Sequence, residues 1–216
     1  MKRTQRFSPR FAALSCLTVL VLATVALAGP PLICHPFDIG AAKSLPFTGT
    51  AWNLSGSEGY NTGNLVRDTL AILDSGAPVI VRMETLRRAT LYAGKDPQAA
   101  RELLTRLHAR ADAGETARNA LALFDFGYLV ETYAQWFNDH NPAAGIDGYS
   151  FVKKALALRA NDPQMEFAAA LITSFRGPAG EHGEHAQKAM AGAKTDALLS
   201  RNLSSDFIVS MMKSKT

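Results

Sequence analysis

Two short clusters in the sequence carry side chains capable of chemistry. Cys34 and His35 set a thiol beside an imidazole. Glu181-His182-Gly183-Glu184-His185 sets two imidazoles three residues apart, so that on a helix both share one face. Together with Cys34 or His35, the pair His182 and His185 could ligate zinc or copper. The local patterns argue against either cluster acting alone. Pro36 biases His35 towards an extended backbone, where neighbouring side chains point to opposite sides. Cys34 lacks a second cysteine at zinc spacing, which leaves it as a small buried apolar residue, an intermolecular or redox thiol, or one ligand among several. The second cluster matches neither His-Glu-x-x-His nor His-x-x-Glu-His, and a solvated helix start beside a glycine-rich loop accounts for it equally.

Other ionisable residues read as structural. His108 borders an apolar helix face and is expected to meet a carboxylate. His140 sits in Asn138-Asp139-His140-Asn141-Pro142, a turn composition. Asp125 and Glu131 fall inside an aromatic-rich helix, where a carboxylate must find a cation or line a pocket, and Arg82, Arg87 and Arg88 are the available mates. Neither Ser55 to Gly59 nor Gly177 to Gly183 has a nucleophile-elbow or phosphate-loop pattern, so no catalytic signature emerges and no cofactor is expected.

The elements that position these groups begin with a targeting segment. Lys2, Arg3, Arg6 and Arg10 precede an apolar run that closes on Ala26-Leu27-Ala28. That order describes a secretory signal peptide over residues 1–28, cleaved after Ala28, and hence a periplasmic or secreted product. Removing those four basic residues leaves Lys+Arg equal to Asp+Glu, at 19 each. The basic balance belongs to the leader, and nothing in the mature part points to nucleic acid. No membrane-length apolar run remains in the mature chain.

Residues 29–64 hold four prolines and many glycines, with Phe37, Phe47, Trp52 and Tyr60 scattered without period. They are expected to form an extended arm, with one short helical turn near Asp38 to Ser44, pinned to the body by its aromatics. Residues 65–216 show helical periodicity throughout and no alternating strand pattern. Helices are expected from Leu65 to Ser75, from Pro78, from Asp96-Pro97, from Thr116 to about Asn138, from Gly148 to Asn161, from Asp162-Pro163, from Glu184 to Lys194, and near Ala197 and Phe207. The Thr116–Asn138 helix is greasy nearly all round, which marks a central element. The fold class is all-α, a helical-hairpin array with an extended N-terminal arm.

A corner occurs twice in this array. Leu86-Arg87-Arg88-Ala89 leading to Asp96-Pro97-Gln98 is matched by Val152-Lys153-Lys154-Ala155 leading to Asp162-Pro163-Gln164. Asp accepts the free amides of a first turn and Pro suits the first helical position. Lys154-Ala155-Leu156 also returns as Lys188-Ala189-Met190, 34 residues on. The corner and the period resemble a degenerate tetratricopeptide repeat, over Phe151 to about Lys194 and more loosely over Pro78 to Ala113. The resemblance implies a helical array with a concave surface that binds proteins or peptides. On it, Arg87, Arg88, Tyr128, Tyr133 and Trp136 are the expected binding residues, and the groove would hold a peptide, a protein partner or the chain's own arm. The metal site of Cys34, His35, His182 and His185 is the alternative.

Overall fold

The computed structural model describes residues 30–48, 54–176 and 180–213. The expected signal peptide, Trp52 and the Gly177-Pro178-Ala179 break lie outside them. Among the described residues there are nine α-helices and no strand. They are α1 (Leu65–Asp74), α2 (Val79–Ala93), α3 (Pro97–Ala117), α4 (Ala120–Trp136), α5 (Gly148–Leu158), α6 (Pro163–Arg176), α7 (Glu181–Gly192), α8 (Ala197–Leu203) and α9 (Asp206–Lys213).

The two Asp-Pro-Gln corners start α3 and α6 as their chemistry requires. Asp96 Oδ1 accepts from the amides of Gln98 and Ala99 at 3.1 and 3.0 Å, and Asp162 Oδ1 accepts from Gln164 and Met165, each at 3.1 Å. Asn119, Asp147 and Asp196 cap α4, α5 and α8 in the same way. Each such cap is worth about 1 kcal/mol. Three helix boundaries differ from the sequence reading. Thr116 lies inside α3, which continues through Gly114, a poor helix former whose lack of a side chain lets α3 pass close to Ala122. The chain turns only at Arg118, in the left-handed region at φ 55°, and Asn119 then starts α4. α5 stops at Leu158, short of Asn161. α7 begins at Glu181, whose carboxylate and that of Glu184 favour a first helical turn.

α4 packs against α2, α3, α5 and α6, the central place its composition predicts. Its crossing with α5 is backbone-close. A Cβ on Gly127 would lie 2.5 Å from the Gly148 carbonyl oxygen, and one on Gly148 would lie 2.5 Å from that of Gly127. Glu131 uses this proximity, accepting the Tyr149 amide at 2.9 Å and so helping to satisfy the start of α5. On the far side of α5, the Tyr149 hydroxyl meets Glu181 Oε2 at 2.5 Å and His185 Nε2 at 2.6 Å. His185 Nδ1 meets Glu166, which also pairs with Lys188 at 3.2 Å. These groups join α5, α6 and α7.

Asp125 pairs with Arg82, one of its three expected mates, at 2.6 Å. Arg82 also donates to the carbonyls of Leu73 and Ala77, so one guanidinium fixes the end of α1 and the α1–α2 turn onto α4. His108 lies 3.7 Å from Asp112 and stacks on the Phe126 ring.

Candidate functional site: a groove along α2

α2 carries Arg82, Glu84, Arg87 and Arg88 among fifteen residues, yet it is buried on nearly all sides. The arm covers what the helices leave open. Leu32, Ile33, Phe37 and Leu45 are each at most 3 % exposed, and Phe37 meets the Phe167 ring edge-on at 5.9 Å between centroids. Burying four large apolar side chains contributes on the order of 1.5–3 kcal/mol each. The expected helical turn near Asp38 is instead a single hydrogen-bonded turn, in which Ala42 N–H donates to the Ile39 carbonyl and Gly40 adopts φ 59°.

The arm's main chain is held by side chains of the helical body, one group at a time. The Leu32 amide donates to Gln135 Oε1 at 2.9 Å, and Arg87 Nη1 donates to the Ile33 carbonyl at 3.0 Å. The Phe37 amide donates to Glu84 Oε2 at 3.0 Å. Asn202, on α8, accepts from the Asp38 amide and donates to the Asp38 carbonyl, both at 2.9 Å. Arg88 Nη1 donates to the Leu45 carbonyl at 2.6 Å, and the Tyr92 hydroxyl donates to that of Pro46. Farther on, Lys95 Nζ donates to the Ser55 carbonyl and Tyr60 stacks on Tyr92 at 4.4 Å.

Glu84 organises the centre of this row. Its side chain is fully buried and accepts from Arg87 Nε and Nη2 at 2.8 and 3.0 Å, from Arg88 Nε at 2.7 Å, and from the Phe37 amide. A carboxylate removed from water needs all its lone pairs occupied, and the arm supplies one of the donors. Phe47 lies over both guanidiniums, 4.9 Å from Arg87 Cζ and 5.2 Å from Arg88 Cζ, which adds a cation–π attraction.

The residues expected to form a binding surface separate into two layers. Arg87 and Arg88 line the groove and grip the arm. Tyr128 lies behind them in the core. Burial, then the neighbouring Glu84 charge, drives its phenol well above the ordinary range, and its hydroxyl has no hydrogen-bond partner among the described residues. Tyr133 is also in the core, donating to the Ala100 carbonyl at 3.1 Å. Trp136, at the end of α4, is half-buried and lines a separate cleft. The sequence marks Glu84 only weakly. Its spacing of three and four residues to Arg87 and Arg88 was visible, but its burial depends on where the arm runs.

The four residues of the metal alternative are not gathered. Among the described residues no group of three or more His, Cys, Asp and Glu is placed to hold a metal ion. Cys34 and His35 lie in the arm beside Arg87. Burial pushes the Cys34 thiol up, with Arg87 opposing, and burial, then Arg87, pushes the His35 imidazole down against the pull of Glu84. His182 is buried with Nδ1 2.9 Å from the Ala170 carbonyl, while His185 is engaged by Glu166 and Tyr149.

The groove therefore offers both donors and acceptors to main-chain groups that have no partner in regular secondary structure, with apolar seats between them. Comparison of the chain with protein-family models, with curated proteins and with solved structures returns no match.

Proposed function

We propose that this chain is an exported, non-enzymatic helical-repeat scaffold of tetratricopeptide-like type that binds proteins or peptides. The single observation that carries the reading is the capture of the arm. From Leu32 to Pro46, side chains of α2, α4 and α8 satisfy main-chain groups of a segment that has turns at Pro30–Cys34 and Ile39–Ala42 and no helix or strand of its own. Recognition through main-chain groups tolerates many sequences, and alternate apolar side chains supply selectivity. The arm is then a cis occupant whose place a partner segment takes in trans, at a cost set by the arm's own contacts.

The test uses the full chain, isotopically labelled, and a synthetic peptide of residues 30–48. Wild-type chain is expected to take up the peptide weakly, because the tethered arm competes. Phe37→Ala, which loosens the arm by about 3–5 kcal/mol, is expected to take it up more tightly, with shifts at Arg88 and Gln135. The reading fails if hydrogen exchange shows the arm released in Phe37→Ala while the peptide still does not bind.

A further inference from the structure

A second concavity, of about 350 Å³, lies where the start of α3 meets the end of α4, and none of the residues that grip the arm lines it. Its walls are Pro97, Ala100, Trp136, Phe137 and Pro142. The indole is fixed because residue 94 has no side chain: a Cβ there would lie 2.2 Å from Trp136 Nε1. Phe137 is held by Tyr133, edge-on at 4.8 Å, and the two proline rings have little freedom to collapse inward. Ala100, on the floor, is too small to fill the space. The cleft is thus preformed and apolar, and its volume falls in the range of small-molecule sites.

Its one charged lining side chain is a guanidinium. Arg101, four residues after Pro97 and so on the same helical face, and His140 border the cleft, and no carboxylate lines it. Arg101 makes no ion pair with another described residue. Asp96 feels its charge, but that carboxylate is committed to the α3 amides and the Thr62 hydroxyl. An apolar pocket with an unpaired guanidinium at its rim matches a ligand with an apolar body and one anionic end.

We propose that this cleft binds a small amphipathic carboxylate, an aromatic or aliphatic acid whose ring or chain lies on Trp136 and Phe137 while its carboxylate meets Arg101. The site is independent of the groove along α2.

4-Phenylbutyrate is the probe, and 4-phenylbutan-1-ol is its uncharged counterpart, each titrated into the full labelled chain while the Trp136 indole N–H resonance is followed. The acid is expected to shift that resonance saturably and to bind about tenfold or more tighter than the alcohol. Arg101→Ala, a change at an exposed position, is expected to remove that advantage, and Arg106→Ala on the same helix to retain it. The proposal is overturned if the acid leaves Trp136 unmoved at about 10 mM, if acid and alcohol bind equally, or if both arginine variants weaken the acid alike.

Discussion

Glu84 and Arg87 sit one helical turn apart, both within 1 % of full burial, and are joined by two hydrogen bonds of 2.8 and 3.0 Å. Breaking such a pair leaves an uncompensated buried guanidinium. Glu84→Ala is expected to cost about 3–5 kcal/mol in urea unfolding and to abolish slow exchange at the Phe37 amide, which loses its acceptor. Retained protection at Phe37 would mean that the arm is held there by contacts other than the Glu84 carboxylate.

The second buried pair, Arg82 with Asp125, gives a dependence on pH. Burial raises the Asp125 carboxyl to about 6 despite the opposing Arg82 charge. A folded value above the ordinary carboxylate value means that folding favours the protonated form. This group's contribution is fully present below about pH 4 and is lost as pH rises through about 6. Comparing wild type with Asp125→Asn from pH 4 to 7 isolates it. The difference in unfolding free energy should move against the wild type as pH rises, and a flat difference would refute the assignment.

Two glycine-to-alanine changes are expected to act with opposite sign. Gly127→Ala drives a methyl group to within 2.5 Å of the Gly148 carbonyl oxygen, an overpacking that costs about 1–3 kcal/mol or more. Gly183→Ala, inside α7 with nothing within 4 Å of the added carbon, should stabilise by roughly 0.5–1 kcal/mol. Thermal midpoints of the two variants check both signs together.

Cys34 reports on arm docking. Its thiol is partly buried and held above the usual range by that burial, so less thiolate is present at neutral pH and alkylation by iodoacetamide should be slower than in denaturant by roughly tenfold or more. Phe37→Ala should restore much of the rate. Equal rates in native and denatured chains would show the arm to be undocked in solution.

The leader reading predicts that the exported product begins at Gly29. Terminal sequencing of material recovered outside the cytoplasm checks it: an intact Met1 on that material would refute the cleavage, and a chain found only inside the cytoplasm would remove the export part of the proposal.

Much of this architecture is legible in the chain. The Asp-Pro-Gln corners state where α3 and α6 begin, because capping needs only residues within one turn, and the all-round apolar surface of α4 states that it lies inside. The α3–α4 boundary is less legible: Gly114 and Thr116 suggest a break and a new start where the helix in fact continues, and the turn is made by Arg118, whose type does not advertise a left-handed backbone. The groove is legible only in part. Arg87 and Arg88 mark it, whereas Glu84 looks like a solvated member of a helical charge pattern until the arm is laid over it. Tyr128 and Tyr133 cannot be distinguished from Trp136 by composition, since all three lie on one apolar helix and differ only in what packs against them. The Trp136 cleft depends on Gly94, whose missing side chain matters only through a neighbour 42 positions away.

The clasp between Asp38 and Asn202 joins residues 164 positions apart. Contacts so distant along the chain close late, because the entropy of bringing the ends together must be met before they return anything. Along the chain the arm is followed first by α2, which supplies most of its partners, and only much later by α8. The arm can therefore lodge on α2 early, while the clasp that locks its middle waits for every helix in between.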